Sequence, residues 1–425
     1  MTVNEIAVIA VFVIAYGLVA ARVEGLGLSG PIVFVTFGIV LGNEGLRWVT
    51  VELDDDAIVM LVEAALGVVL FCDALRIDVR RLRAEAQLPA RLLGIGLPLT
   101  IVLGALGALV VFDVGMAEAA LIGAILAPTD AALGLAIVSS PLVPVRIRQA
   151  LNVESGLNDG IALPAVTIFL ALAASSEPGT GDRWVRFIAE QIGWGLAVGI
   201  GVGLAGGVLV RWCSERGWMA AGYRQLAVAG LVVMAMSVAH QSGGNEFIAS
   251  FAAGASFGFI ARGTAAEAAA FTEQIGQLLA MLIFVVFGAS LFGPRFAGFG
   301  LDTVVYAVLS LTVIRMIPVS VAMIGAGLRR PTVVFMGWFG PRGLASILFG
   351  LIVVEEQVLA SDGQIFGIVA CTVVVSVFAH GLTAAPAARR YGAWYASTHP
   401  LEPHLAESVP MTPHPLGRAS PSPPT

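Results

Sequence analysis

Stretches of 17–25 predominantly apolar residues recur from end to end of this chain, and each is long enough as a helix to cross ~30 Å of hydrocarbon. Only 12% of the 425 residues are charged and the mean hydropathy is +0.91, where soluble domains carry about 25% charged residues. The chain therefore reads as an all-α polytopic membrane protein. The first apolar run, Ile6–Ala20, has no basic region ahead of it and no small-residue cleavage pattern. It is expected to stay as a helix and not to be removed as a signal peptide.

Thirteen spans are expected, at roughly 5–21, 28–42, 57–75, 92–112, 116–139, 147–174, 187–210, 221–240, 245–261, 272–292, 301–326, 332–354 and 364–386. An odd count puts the two termini on opposite sides, and the basic residues decide which is which. All 23 are arginine. The loops on the side of residues 76–91 and of the C-terminus hold seventeen of them, and the opposite loops hold only Arg47, Arg183, Arg186 and Arg295. By the positive-inside rule the C-terminus is cytoplasmic and the N-terminus outside, in the cell (inner) membrane.

The acidic run Glu52, Asp54, Asp55, Asp56 then falls in a solvated outer loop. Residues 76–91 alternate arginine with leucine and alanine, as suits a basic helix on the inner membrane surface. The stretch 397–425 has eight prolines and no apolar periodicity, and is expected to be a disordered cytoplasmic tail. Cys72, Cys213 and Cys371 show no pairing or metal spacing and are expected to pack as small hydrophobes.

Two spans carry breakers at their centres. The fifth is interrupted by Pro128-Thr129-Asp130 and the twelfth by Gly340-Pro341-Arg342-Gly343. Proline removes a backbone donor and glycine relaxes the chain, so both helices should unwind inside the membrane. One break lies in each half of the chain. That arrangement points to inverted repeats with a site where the two unwound segments cross.

Charges gather at the same places. Asp130 and Arg342 lie in the breaks, Glu154 and Asp159 in the sixth span, and Asp73 at the end of the third. A charge at mid-bilayer costs about 2.5–3.5 kcal/mol even on lenient insertion scales, which marks such groups as functional. On the sixth span Ser155 and Asp159 are four apart, as are Glu154 and Asn158, so they form two adjacent stripes on one helix face. A hydroxyl with a carboxylate is a hard oxygen pair suited to a small alkali cation. Thr129 and Asp130 sit where unwinding frees backbone carbonyls to join it. This is the chemistry of cation and proton carriage.

The order A-P-T-D (127–130), N-V-E-S-G-L-N-D-G (152–160) and G-P-R-G (340–343) resembles the cation/proton antiporter-1 family, and its NhaP-type sodium/proton antiporters in particular. F-C-D-A-L-R-I-D at 71–78, Arg315 in I-R-M-I-P and the closing H-G-L-T-A-A-P fall where that family has similar residues. The resemblance implies that Asp159 is the carboxylate shared by cation and proton. Thr129 would supply a carbonyl, Asp130 and Ser155 would complete the Na⁺ shell, and Asp73 would reach it from the opposite domain. Asn158 would hold the unwound segments together, and Glu154 would pair with Arg342 to fix the two broken helices.

The resemblance also implies how the whole works. A membrane domain over 1–396 would divide into a core (about 92–174 and 301–390) and dimer-interface helices (about 5–75 and 187–292). It would act as a homodimer by alternating access, with no cofactor beyond the transported Na⁺ and H⁺ and no nucleic-acid partner. Asn158-Asp159 in place of two aspartates, with arginine and no lysine, resembles the electroneutral branch, which would exchange one Na⁺ or Li⁺ for one H⁺. K⁺/H⁺ exchange is the alternative, and a sodium-coupled solute symporter a more distant one. An intramembrane enzyme is disfavoured, because the G-x-G-D of membrane aspartyl proteases is absent and no histidine is placed as a base for a serine nucleophile.

A carboxylate can trade a cation for a proton near neutral pH only if its surroundings lift its pKa well above ~3.9, and an adjacent arginine opposes that. The acid nearest an arginine should be structural, and Glu154 is assigned that part. Arg315 is expected to make a structural ion pair or a capping contact. Glu273 and Gln274, at the start of the tenth span, are expected as interfacial anchors or as a gate or pH-sensing contact; Glu63 lies near the outer end of the third span, where it can snorkel; His240 and His380, near span ends, receive no function.

Overall fold

Among the described residues every regular element is helical, as apolar runs of this length require. The computed structural model describes residues 3–25, 28–42, 45–49, 56–75, 87–130, 133–174, 181–261, 265–291, 300–356, 359, 361–398 and 406–408. The chain opens with α1 (Val3–Gly25), α2 (Gly30–Leu41) and α3 (Asp56–Leu75). Next come α4 (Gln87–Arg91) and α5 (Leu97–Val111), joined through a π-helical turn at Leu92–Gly96. Then follow α6 (Met116–Ile125), α7 (Leu135–Val138), α8 (Val145–Ala174), α9 (Gly181–Glu215), α10 (Ala221–Gln241), α11 (Glu246–Ile260) and α12 (Ala265–Ser290). The last part comprises α13 (Leu301–Leu311), α14 (Val313–Ala322), α15 (Arg330–Trp338), α16 (Leu344–Glu356) and α17 (Asp362–Thr398).

Nine helical segments among the described residues are long and apolar enough to cross a membrane, and four shorter apolar helices accompany them. They stand in the places of the expected spans, with α6–α7 and α15–α16 as the two broken ones. The acidic residues Glu52, Asp54 and Asp55 and the basic stretch 76–86 lie outside the described residues.

Helices in lipid gain little from burying leucine, so close backbone approach has to hold them. This chain achieves it with glycine. Gly195, Gly199, Gly203 and Gly207 recur every four residues on α9 and face α11, where side chains at 199 and 203 would run into the carbonyls of Ala249 and Ala253. Gly38 of α2 and Gly42 just after it lie in the same way against Val285–Ala289 of α12, and Gly104 of α5 against Gly123 of α6.

The packing joins α2, α3 and α9–α12 to one another, and α4–α8 to α13–α17. Helix α8 also touches α3, α9 and α11, so it runs along the seam between the two sets.

Three features differ from expectation. The span that begins at 301 breaks at Thr312 (φ −110°, ψ −90°), whose hydroxyl donates to the Val308 carbonyl at 2.6 Å. Back-bonding of this kind competes with the helical ladder and bends it. The last helix continues past 386 to Thr398, so His380 lies well inside a helix and is fully buried.

In the stretch expected to be unstructured, Ala406–Ser408 form a single 3-10 turn. Glu407 is buried there and accepts from the Arg329 N–H at 2.8 Å and the Thr332 hydroxyl at 2.7 Å, while Arg146 donates to the Ala406 carbonyl. The Arg329 N–H at the start of α15 supplies the reason, since a carboxylate satisfies both it and the positive end of the helix dipole. Residues 399–405 and 409–425 lie outside the described residues.

Candidate functional site

Both breaks unwind as their proline and glycine demand. Helix α6 stops at Ile125 and α7 resumes at Leu135; α15 stops at Trp338 and α16 starts at Leu344. The two open segments cross and complete each other's helix ends. From the first, Asp130 donates its N–H to the Pro341 carbonyl and accepts the Leu344 N–H on Oδ2, both at 2.8 Å. Its carboxylate thereby caps the positive end of α16.

From the second, Arg342 donates through Nη1 to the carbonyls of Ala127 (3.0 Å) and Pro128 (3.3 Å), the unpaired acceptors left where α6 ends. Ser346 reaches the Ile125 carbonyl at 2.8 Å. Each break thus carries the charge that the other break's helix end requires.

Gly343 is where the crossing is tightest. A Cβ there would run into the Asp130 carboxylate, which its own hydrogen bonds hold in place. Gly343→Ala should lower the stability of the purified protein by about 1–3 kcal/mol, the usual cost of overpacking a rigid contact. Thermal unfolding in detergent measures it, and an unchanged midpoint would mean that the crossing is looser than described.

Helix α8 presents its polar face to this crossing. Asn158 donates to the Thr129 hydroxyl at 2.7 Å and lies 3.5 Å from the Thr129 carbonyl, and the hydroxyls of Thr129 and Ser155 are 3.1 Å apart. One turn along, Asp159 is only 7% exposed. Its Oδ1 and the Oδ1 of Asn158 are buried, with no hydrogen-bond partner among the described residues. Buried acceptors without donors are costly, and a cation or a proton would satisfy them. Asp73 and Asp130 are close enough to act on the Asp159 charge.

The structure corrects one pairing. Glu154, expected against Arg342, instead forms a two-pronged ion pair with Arg315, at 2.6 Å (Nη1–Oε1) and 2.9 Å (Nη2–Oε2), with both side chains buried. The physical reason is that Arg342 is already committed to the carbonyl ends of α6. The break at Thr312 sets Arg315 on the short helix α14, from which its side chain reaches Glu154 on α8. Helical spacing placed Glu154 on the right face but could not say which arginine that face would meet.

Asp130 also has a cap's task in addition to the ligand role expected of it. Among the described residues no group of three or more His, Cys, Asp or Glu side chains is placed to hold a metal ion. A cation here would rest on a mixture of carboxylate, hydroxyl, amide and carbonyl oxygens.

Sequence reasoning passed over Ser376 and His380, which lie behind the second break. Ser376 accepts the Arg342 N–H at 2.6 Å, and His380 contacts the Trp338 carbonyl at 2.9 Å. Their signal was present as a hydroxyl and an imidazole four apart, so on one face of a membrane-spanning helix. Glu63 and His240 lie away from the crossing and share a neighbour in Glu246, whose Oε2 is 3.5 Å from His240 Nδ1.

Comparison with known proteins agrees with this architecture. Over 413 residues the chain is 24% identical to the K(+)/H(+) antiporter NhaP of Alkalimonas amylolytica, covering 97% of this chain and 70% of that one. It is 28% identical over 181 residues to the K(+)/H(+) antiporter NhaP2 of Shewanella baltica, and 30% identical over 264 residues to the Na(+)/H(+) antiporter 2 of Zygosaccharomyces rouxii. The chain spans only 31% of the length of each of these two, and the matches cover 42% and 56% of this chain.

The solved structure of the sodium proton antiporter MjNhaP1 from Methanocaldococcus jannaschii at pH 8 superposes with a TM-score of 0.71 at 17% identity, covering 91% of this chain and 98% of that one. The two therefore share a fold. The family model for the transmembrane part of sodium/hydrogen exchangers matches residues 7–390, nearly the whole helical part, and the chain belongs to that family.

Proposed function

We propose that this protein exchanges a monovalent alkali cation, Na⁺ or Li⁺, for H⁺ by alternating access, one for one, with cation and proton competing for Asp159. The observation that carries the reading is the buried Asp159 carboxylate next to the Thr129–Ser155–Asn158 cluster, whose Oδ1 has no hydrogen-bond partner among the described residues. The arginines nearby have other tasks. Arg315 neutralises Glu154, and Arg342 binds the ends of α6. A carboxylate that carries either a proton or a monovalent cation moves one charge in each direction, hence the electroneutral stoichiometry.

Ser155 and Thr129 serve as neutral ligands, with Asn158 tying the α8 face to the first break. Asp73 approaches from α3, across the seam along which α8 runs. Rocking of one helix set against the other would change its distance to Asp159 and switch access between the two sides. The protein acts as a homodimer in the cell membrane, N-terminus outside and C-terminus cytoplasmic. That orientation is supported by the arginine distribution, and the core and interface division by the two packed sets.

K⁺ in place of Na⁺ is the second reading. It is favoured by the name of the relative that aligns over 97% of this chain.

The test uses sealed proteoliposomes with an inward-acid pH gradient and a pH-sensitive dye inside. Na⁺, Li⁺, K⁺ or choline is added outside, with and without valinomycin clamping the potential. Alkalinisation by Na⁺ and Li⁺ that ignores the clamp is the expected result. A response to K⁺ alone would establish the second reading, and one altered by the clamp would overturn the one-for-one stoichiometry. No cation-driven proton movement in folded protein would sink the exchanger reading.

A further inference from the structure

His380 is fully buried inside α17, and nothing so far gives it a task. Its ring lies against the Trp338 indole, with centroids 5.0 Å apart, and both nitrogens have partners. Nε2 is 2.9 Å from the Trp338 carbonyl, which can only accept, so Nε2 must carry a proton. Nδ1 is 3.1 Å from the Ser376 hydroxyl and 3.0 Å from the Ser376 carbonyl, one helical turn back. That hydroxyl already accepts the Arg342 N–H at 2.6 Å, and its own hydrogen is left to donate to Nδ1. The neutral Nε2–H tautomer therefore satisfies the Trp338 carbonyl and the Ser376 hydroxyl, and leaves the Ser376 carbonyl to the N–H four residues on in its own helix.

The two hydrogen bonds grip both ends of the second break. Trp338 is the last residue of α15, and its carbonyl also accepts the Gly340 N–H at 3.0 Å. Arg342 is the last but one before α16. Between them the unwound segment has few backbone partners of its own. We propose that His380 is a positioning residue for the cation site: through Trp338 and Ser376 it fixes residues 339–342 against α17, and so sets where Arg342 holds the Ala127 and Pro128 carbonyls beside Thr129. The proposal rests on the exchange reading of that site. Arg342 and Arg315 are the charged groups that act on the ring, and the role uses the ring as a neutral donor and acceptor, not as a titrating group.

Glutamine can reproduce both bonds, with its amide N–H to the Trp338 carbonyl and its amide oxygen receiving the Ser376 hydroxyl, and it has no charge at any pH. Leucine fills the space and makes neither. The experiment compares wild type, His380→Gln, His380→Leu and Ser376→Ala. It reads three quantities: the half-saturating Na⁺ concentration for stabilising detergent-solubilised protein against heat, the same quantity for exchange in proteoliposomes, and the pH profile of exchange.

Residues that orient ligands from behind typically cost 10–100-fold when replaced. His380→Leu and Ser376→Ala are each expected to raise half-saturation by at least about tenfold. His380→Gln should restore the wild-type value and leave the pH profile where it was. A His380→Leu protein that melts earlier but keeps its half-saturation would reduce the residue to packing and overturn the proposal. A His380→Gln protein with a displaced pH profile would overturn it too, by making the ring a titrating group. Should His380→Leu not fold, a Ser376→Ala protein with wild-type half-saturation overturns the proposal, since the path from the ring to Arg342 runs through that hydroxyl. Wild-type protein that moves no protons in response to any cation overturns the exchange reading and this proposal together, whereas active wild type with unaltered variants overturns only the proposal.

Discussion

Asp159→Asn protein is expected to fold, to melt no earlier than wild type, and to show no cation-driven proton movement in proteoliposomes. Asparagine keeps the size of the side chain and removes the two properties that the exchange needs, a negative charge and a site for a proton. The effect on cation affinity is large because the carboxylate is buried. A charged partner contributes about 1.5–3 kcal/mol to such a contact, so its loss alone weakens cation binding by roughly 10–150-fold. Proton coupling disappears outright, since an amide does not titrate in this range.

Stability should hold or rise, because wild type keeps a buried carboxylate, one oxygen of which is unpartnered among the described residues, beside two further aspartates, Asp73 and Asp130. Replacing a charge in that setting relieves repulsion. Thermal unfolding of the purified variant and dye-monitored exchange make the test. Asp159→Asn protein that still alkalinises vesicles with Na⁺ would move the exchange step to another acid.

The second large effect concerns Glu154 and Arg315. Both side chains are buried and their two hydrogen bonds are short. Removing one partner of such a pair strands the other charge in a low dielectric, which typically costs 3–5 kcal/mol. Arg315→Met and Glu154→Gln should each lower stability by about that much, and Glu154→Met/Arg315→Met together should recover most of it, because no lone charge remains.

The pair joins α14 to α8, the helix that carries Asp159. The single variants should therefore lose folded protein before they lose cation discrimination. Unfolding midpoints in detergent and half-saturating cation concentrations separate the two. An early role for Glu154 in the ion shell would appear as altered cation affinity with an unchanged midpoint, and that result would sink the structural assignment.

Much of the site was legible before any coordinates. Apolar length marks the spans because hydrocarbon thickness is fixed. Proline and glycine mark the two breaks because their effects on the backbone are local. Asp130 and Arg342 marked the crossing because charge in a membrane is costly wherever the helices end up. The i,i+4 spacing put Ser155 with Asp159, and Glu154 with Asn158, on one face of α8, and the fold keeps them there.

Other features were out of reach for an equally physical reason. The bend at Thr312 depends on a hydroxyl turning back to its own helix, which threonine does in some places and not in others. The docked turn at Ala406–Ser408 depends on the Arg329 N–H far away in sequence, at the start of α15. Composition alone reported proline there.

The sequence by itself determined that this chain crosses a membrane many times as helices, that two of those helices are broken, and that carboxylates, hydroxyls and an amide gather near the breaks. Only the tertiary structure decided who meets whom. It gave Glu154 to Arg315, sent Arg342 to the carbonyls that end α6, made Asp130 the cap of α16, left Asp159 with an oxygen unpartnered among the described residues, and brought His380 behind the second break. Span length, helix breaking and the stripe on α8 follow from local forces along one helix. Pairing depends on which faces the crossing turns toward each other, and there Gly340 and Gly343 let Arg315 and Asp130, distant in sequence, approach the second break closely.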